Sequence, residues 1–269
     1  MQLVMHVLLP VTLFSLMFAM GLRISLHDFA ELVPRWPLVL GVFGSLAIVL
    51  PAAATTLVRV FGLQPELGLG IVLISACPVG TFSTVLAAYG RANIALSVCL
   101  TALTSLLAVL TLPLIVNVAG AGALPAHAVH LPWLPTVLRV LSLIGLPVAL
   151  GMLARAHLGP RAERWHRIIK NAGAAALILV FATLIHAERH ELAAALAAVW
   201  APVVVLNGCA LAAGLAFRHA LGASQDIGLS IALAHTIRQE ETGLYVALSL
   251  LAIPLSALPL LLNSLVGVL

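Results

Sequence analysis

The sequence predicts an all-α polytopic membrane protein with about nine transmembrane helices, each of roughly 20 apolar residues. Hydrophobic residues make up 62% of the 269 residues, and charged residues make up only 8%. The mean hydropathy is +1.17, whereas a soluble domain carries about 25% charged residues. The apolar residues form long runs of Leu, Val and Ala, and this pattern excludes the alternating polarity of membrane β-strands.

Hydrophobic segments with short connections follow one another along the whole chain, so residues 1–269 are predicted to form a single transmembrane domain. The first segment has no basic residues before it, which favours a retained span over a cleaved signal peptide. The predicted spans are residues 2–22, 37–61, 66–88, 92–118, 132–154, 171–187, 195–217, 223–240 and 242–267.

Basic residues are distributed unevenly between the predicted loops. The longest hydrophilic run, Arg155 to Lys170, contains four arginines and a lysine, whereas residues 119–131 contain neither Lys nor Arg. Because basic loops remain in the cytoplasm, this asymmetry predicts an external N-terminus and a cytoplasmic C-terminus in the cell membrane. His157, His166 and His219 lie among loop charges and are predicted to be solvated. The positive-inside rule also accounts for the net charge of +4 without a nucleic-acid partner.

The sequence has no pattern typical of an enzyme or of a resident cofactor. The three cysteines lie in apolar segments without paired spacing, so neither a disulfide framework nor a metal site is predicted. Neither G-x-S-x-G nor H-E-x-x-H occurs, and the few acidic residues are clustered. A transporter is therefore favoured over an intramembrane enzyme.

Two predicted spans are interrupted near their middle. Pro78 and Gly80 lie within SACPVGTFST in the third span, and HTIRQEETG places polar and ionisable groups in the eighth. Interrupted segments in corresponding positions of two halves indicate the binding site of an inverted-repeat transporter. We therefore predict a first repeat over about residues 1–118, a second over about 132–269, and two crossing discontinuous helices.

An interrupted helix leaves backbone groups without partners, and lipid cannot satisfy them. The N-terminal end of the second half-helix, near Thr81 to Thr84, carries partial positive charge and suits an anion. Carbonyl groups at the end of the first half, together with hydroxyl groups, suit a hard cation such as sodium. Ser97 and Thr101 are four residues apart and share one helix face. Each of these hydroxyls could equally bond a carbonyl of its own helix.

Three segments resemble the bile acid:sodium symporter family, and the likeness is strongest from residue 17 to 116. The resemblance implies a core domain that moves against a panel domain, and sodium-coupled import of organic anions by alternating access. It also implies that this chain keeps nine helices where family members often have ten. The segments are MFAMGLRISLHDF at 17–29, ACPVGTFSTV at 76–85 and GRANIALSVCLTALTSLLA at 90–108, with LNG at 206–208 and LN at 262–263 as smaller landmarks.

The resemblance implies an ion site built from hydroxyl groups. Ser83, Ser97 and Thr101 match hydroxyls that ligate sodium in the family, and Thr84 replaces an adjacent asparagine. No resident cofactor is expected, and sodium is the expected coupling ion. A family glutamine on the preceding span is replaced by Ser45.

The second crossover departs from the family pattern in either of two alignments. Counting forward from Asp226 places the family's glutamate at Ala234 and its Gln-Asn pair at Arg238 and Gln239. Counting from the ETG segment keeps the acid at Glu241 but loses the pair. Gln239 and Glu241 are therefore candidate ion ligands, and neither alignment preserves the whole sodium shell.

The predicted substrate contacts are Thr81 with its neighbour Phe82, Asn263, and Arg238. Thr81 and Asn263 match family positions that face the organic substrate. Arg238 could pair an anionic substrate, or its fixed charge could take the role of a bound cation. The alternative is that the charges of this segment lie at the outer membrane interface and end the helix.

These observations predict a secondary transporter in the lipid bilayer that imports a sterol acid or a small keto acid. The first rival is a proton-coupled or uncoupled carrier on the same fold. There, Glu240 or Glu241 with His235 could carry the proton, because ionisable groups inside membrane segments mark ion paths. The second rival is a membrane sensor or scaffold without transport.

Overall fold

The computed structural model describes residues 7–25, 36–123 and 132–266, whose elements are helices and short turns apart from one isolated bridge. Side chains are described except those of residues 120–123. The α-helices are α1 (Leu9–Gly21), α2 (Trp36–Gly44), α3 (Leu50–Val60), α4 (Pro65–Ala76), α5 (Phe82–Tyr89), α6 (Ile94–Ala123), α7 (Trp133–Val140), α8 (Leu146–Leu158), α9 (Ala162–Ala187), α10 (Leu192–Ala220), α11 (Gln225–Thr236), α12 (Glu240–Tyr245) and α13 (Ala257–Val266).

Proline explains why some helical segments change their winding. Helices α3 and α8 each have proline in their first two positions, and each directly follows a π-helical turn, Ser45–Val49 or Leu141–Gly145. Proline has no N–H to donate to the preceding turn, so the chain is free to widen there. A third π turn, Val246–Leu250, follows α12.

Four helical segments are long and apolar enough to span a bilayer, within the part of the chain that the structure describes: Trp36–Val60, Ile94–Ala119, Trp133–Ala187 and Leu192–Ala220. Leu9–Gly21, Pro65–Ala76 and Pro254–Val266 are shorter apolar helices. The all-helical class is thus confirmed, while the count of nine spans and the inverted repeat stay predictions.

Two predicted boundaries are wrong. The hydrophilic run from Arg155 to Lys170 is not a loop: α8 continues to Leu158, and α9 begins at Ala162 after the single 3-10 turn Gly159–Arg161. The last predicted span, 242–267, is not one helix either. Its first part continues the interrupted eighth span, and residues 251–253 separate it from the final helix.

The two interrupted segments have matching local structure. Each follows a turn in which a glycine adopts a left-handed conformation, with φ 58° at Gly62 and 57° at Gly222. Each then forms a 12-residue helix, α4 or α11, which ends at the interruption. This similarity supports the prediction of an inverted repeat.

The helices pack in two groups. In the first, α1 lies against α8 and α9. In the second, α4 packs against α3, α6 and α13, and α10 packs against α11. The groups meet at two places. Helix α6 of the second group contacts α7, which precedes α8, and α1 of the first group contacts α12, which follows the second interruption. The interruptions lie in the second group.

Glycine permits the closest approach inside the first group. A Cβ atom on Gly21 would lie 2.2 Å from the carbonyl oxygen of Val148, and one on Gly151 would lie 2.3 Å from that of Phe18. Small residues of this kind allow membrane helices to pack closely.

Gly21→Ala is expected to destabilise the protein by about 1–3 kcal/mol, because the added methyl group clashes with backbone rather than with a movable side chain. The matched control is Gly208→Ala in α10, where the added Cβ has nothing within 4 Å. There, alanine should be neutral or stabilising by up to about 1 kcal/mol. Melting temperatures in detergent test this, and equal values for the two variants would contradict it.

Candidate functional site

The two interruptions meet in the middle of the second group. An isolated antiparallel bridge joins Val79 and Arg238. The N–H of Gly80 donates to the carbonyl of Ile237 at 2.8 Å, and the N–H of Gln239 donates to that of Pro78 at 3.0 Å. The interrupted backbones therefore satisfy part of each other's hydrogen bonding, which lipid could not do. We call residues 77–81 and 237–239 the crossing.

A threonine of α6 supports the crossing from the side. The N–H of Val79 donates to Oγ1 of Thr104 at 3.1 Å, and that hydroxyl donates to the carbonyl of Leu100 at 2.7 Å. Thr104 did not emerge as a site residue from the sequence. The spacing of Ser97, Thr101, Thr104 and Ser105 could have indicated it, because these residues share one face of a helix.

The structure brings the predicted hydroxyl ligands together between α5 and α6. Oγ of Ser83 and Oγ1 of Thr101 lie 3.4 Å apart, and Thr101 also donates to the carbonyl of Ser97 at 2.9 Å. The hydroxyl of Ser97 is buried and has no hydrogen-bond partner among the described residues. Thr84 is buried on the same half-helix as Ser83. We call Ser83, Ser97 and Thr101 the hydroxyl cluster; its neutral oxygens suit a hard monovalent cation.

Three polar residues of the second interruption are buried inside the protein. Arg238 is only 7% exposed, Gln239 1% and His235 0%. The enclosure of Arg238 and His235 by neighbouring helices counts against the alternative that the charges of this segment merely end the helix at the outer surface. Nη2 of Arg238 donates to the carbonyl of Ser75 at 2.8 Å and to the carbonyl of Cys77.

Gln239 and His235 connect the second interruption to other helices. Nε2 of Gln239 contacts Sδ of Met17 at 3.1 Å, and its Oε1 accepts from Ser105 at 3.3 Å. His235 bonds the carbonyl of Ile231 through Nδ1 at 2.8 Å and Oγ of Ser45 through Nε2 at 3.0 Å. Since a carbonyl only accepts, Nδ1 carries the proton, and a neutral ring then accepts from Ser45.

A chain of polar side chains links the second interruption to the last helix. Nδ2 of Asn263 donates to Oε1 of Glu240 at 2.7 Å, and Nδ2 of Asn207 donates to Oδ1 of Asn263 at 2.7 Å. The structure thus places Asn263, a predicted substrate contact, in this buried network. Glu241 is partly exposed beside Glu240.

A small cavity of about 30 Å³ separates the crossing from the first group of helices. Thr81, Thr84 and Thr101 line one wall, and cationic or ionisable residues of α9 and the end of α1 line the other: Arg23, His166 and Lys170. Phe82, also a predicted substrate contact, is 38% exposed and does not line this cavity.

His166 is a correction to the sequence analysis. It is buried, and its Nδ1 lies 2.7 Å from the carbonyl oxygen of Ala19, so it is not a solvated loop residue. The contact holds α9 against α1 and helps to shape the cavity. Neither Lys170 nor Arg23 was predicted as a site residue, because their charge was assigned to loops.

Interrupted helices that cross inside an apolar helical body, beside a cavity with polar walls, are typical of secondary membrane transporters. The sequence model described as Sodium Bile acid symporter family matches residues 10–196. The chain belongs to this family.

Individual relatives carry transporter names. An uncharacterized sodium-dependent transporter, YocS of Bacillus subtilis (strain 168), is 26% identical over 246 residues, which are 91% of this chain and 74% of that protein. The probable sodium/metabolite cotransporter BASS2, chloroplastic, of Oryza sativa subsp. japonica is 26% identical, over 94% of this chain and 59% of its own. The ileal sodium/bile acid cotransporter of Cricetulus griseus is 28% identical, over 66% and 51% respectively. The chain thus spans less than two thirds of the last two proteins.

Proposed function

We propose that this chain is a secondary transporter that imports an organic anion by sodium-coupled alternating access. The observation that carries the proposal is the cavity between the crossing and the first group of helices. The hydroxyl groups of Thr81, Thr84 and Thr101 form one wall, and the cationic side chains Arg23 and Lys170 form the other. This pairing of walls suits a ligand with a carboxylate on one side.

The lining of the cavity supports an amphipathic substrate. Met20, Ile24 and Val98 are apolar members of the lining, beside the two cations. A carboxylate can pair with Arg23 or Lys170 through charge-assisted hydrogen bonds, while the hydrocarbon part of the substrate contacts the apolar residues. A sterol acid and a short keto acid both have this chemistry.

Thr101 supports coupling between the ion and the substrate. It lines the cavity, and its hydroxyl is also a member of the hydroxyl cluster. A sodium ion on the hydroxyl cluster would fix the orientation of this wall and add positive charge next to the anion. The ion and the anion would then favour each other's binding by the same factor.

The position of the cavity supports a rocking motion. It lies between α1 and α9 on one side and α5 and α6 on the other, so movement of the first group against the second would open or close it. The basic residues favour a cytoplasmic location for this side under the positive-inside rule, and the proposal has the N-terminus outside and the C-terminus inside the cell.

Uptake into proteoliposomes tests this function with radiolabelled cholate as the sterol acid and radiolabelled pyruvate as the keto acid. An inward sodium gradient is expected to drive accumulation of one of them, and an equal potassium gradient is not. Lys170→Met should raise KM about tenfold, the effect of losing one charged hydrogen bond.

The matched control is Arg167→Met, which removes an exposed charge from the same helix outside the cavity lining. Its KM should stay close to that of the wild type. Equal KM values for the Lys170 and Arg167 variants would contradict the assignment of the anion to this cavity. Absence of sodium-driven uptake of both anions would contradict the proposed substrate classes.

A proton-coupled carrier is the second candidate, and Glu240 is the observation that favours it. This carboxyl lies directly after the crossing and accepts a hydrogen bond from the fully buried Asn263. Proton coupling predicts that an inward proton gradient drives uptake without sodium. It also predicts that Glu240→Gln abolishes this uptake, and the two results together would select this candidate over sodium coupling.

A further inference from the structure

The end of α4 is a site of negative potential inside the protein. The helix ends at Ala76, and its last carbonyl groups have no following turn to bond. The helix dipole adds partial negative charge at this end. In transporters with discontinuous helices, such carbonyl ends are positions where a coupling cation binds.

In this chain a side chain of the other interrupted segment reaches that end. Nη2 of Arg238 donates to two carbonyls at this end, that of Ser75 in the last turn of α4 and that of Cys77, the residue that follows the helix. The carbonyl oxygens thus contact a cation that the protein itself supplies. The guanidinium keeps its charge under all conditions relevant to transport.

The contact with α4 is the interaction that holds this charge in place. Nε and Nη1 of Arg238 have no hydrogen-bond partner among the described residues, and the two bonds of Nη2 go to carbonyls rather than to a carboxylate. A buried charge is costly unless it is compensated. The partial charges at the end of α4 provide compensation, as they would for a metal cation.

The hydroxyl cluster differs from the end of α4 in this respect. Ser83, Ser97 and Thr101 contribute neutral oxygens, and the hydroxyl of Ser97 has no partner in the described part of the chain. No hydrogen bond joins Arg238 to any of the three. The hydroxyl cluster is thus open to an ion, whereas the carbonyl end of α4 already contacts a fixed cation.

We infer that Arg238 is a tethered cation that takes the place of a coupling ion at the carbonyl end of α4. The chain therefore binds one sodium ion fewer than the same protein with a neutral residue at position 238. The absolute number of ions rests on the proposed function, but the difference between the two proteins does not.

The test counts sodium ions on the purified protein in detergent, by equilibrium dialysis with radioactive sodium in a choline chloride buffer. Arg238→Ala and Arg238→Gln are expected to bind one sodium ion more per chain than the wild type. Arg238→Lys keeps the charge and should bind the same number as the wild type. Potassium should not displace the additional ion.

Ser97→Ala separates this inference from the proposed function. If the hydroxyl cluster binds sodium, this substitution removes one ion both in the wild type and in Arg238→Ala. If the wild type binds no sodium, the proposed sodium coupling fails, but a gain of one ion in Arg238→Ala still supports the tethered cation.

Equal counts in the wild type and in both neutral variants would overturn the inference. If the alanine variant is too unstable to purify without sodium, its melting temperature is measured in sodium and in choline. A sodium-specific rise that the wild type lacks supports the tethered cation, and no such rise contradicts it. Unchanged sodium binding combined with loss of cholate or pyruvate binding would instead assign Arg238 to the substrate.

Discussion

Gly80→Ala is expected to abolish uptake and to destabilise the protein by at least about 3 kcal/mol. The added Cβ would lie 2.6 Å from the carbonyl oxygen of Arg238, which belongs to the backbone of the other interrupted segment. Overpacking alone costs about 1–3 kcal/mol. Separating the segments would also break the hydrogen bonds of Gly80 with Ile237 and of Gln239 with Pro78, and each buried group left without a partner costs about 1–3 kcal/mol.

The measurement is the melting temperature in detergent, together with uptake in proteoliposomes. Gly44→Ala is the matched control, because a Cβ there meets nothing within 4 Å and the residue ends a helix outside the crossing. The control should keep both the stability and the transport of the wild type. A Gly80 variant as stable and active as this control would show that the two backbones need no such close approach.

The position of the first interruption could be predicted from local chemistry, whereas its partner could not. Pro78 lacks an N–H and Gly80 lacks a side chain, so a helix is weak there whatever surrounds it. The pairing of Val79 with Arg238 joins residues far apart in the chain. The sequence indicated this pairing only indirectly, because a second polar interruption lies in a corresponding segment of the other half.

The segment from Arg155 to Lys170 shows that a polar composition does not distinguish a loop from an exposed helix. Arg and Lys are good helix formers, and a helix can extend beyond the bilayer into water. The polar run before Lys170 was predicted to be a solvent-exposed loop. Part of it is solvent-exposed, but it is helical rather than a loop. His166 lies on the buried face of this helix because α1 presents a free carbonyl at Ala19. That partner is a tertiary contact which no local pattern contains.

The hydrogen-bond network of the second half was only partly predictable. Asn207 lies in one of the two smaller landmarks and Asn263 was a predicted substrate contact, but their contact with each other and with Glu240 depends on how α10, α12 and α13 pack. For the hydroxyl cluster, spacing indicated that Ser97 and Thr101 share a helix face, whereas Ser83 was included only through the family resemblance. Spacing therefore indicates which residues of one helix share a face, but not the contacts formed where several helices meet.

Ser97→Ala is expected to change stability in opposite directions with and without sodium. The buried Ser97 hydroxyl has no hydrogen-bond partner among the described residues, and a buried group in this state costs about 1–3 kcal/mol. Alanine removes that group, so the variant should be more stable than the wild type in choline buffer. The same substitution removes an oxygen from the hydroxyl cluster, so sodium affinity should fall at least about tenfold, or 1.4 kcal/mol.

Melting temperatures over a sodium titration at constant ionic strength measure both effects. Ser105→Ala is the control, because this serine is equally buried two turns further along α6, where its hydroxyl contacts Oε1 of Gln239 at 3.3 Å. Its loss should destabilise the protein equally in sodium and in choline. A Ser97 variant that is less stable than the wild type in choline would mean that the hydroxyl contributes to folding rather than to ion binding. If Ser97 is an ion ligand, the variant is more stable than the wild type without sodium and gains less stability from sodium. Removing a hydroxyl with a purely structural role would instead lower stability in both buffers.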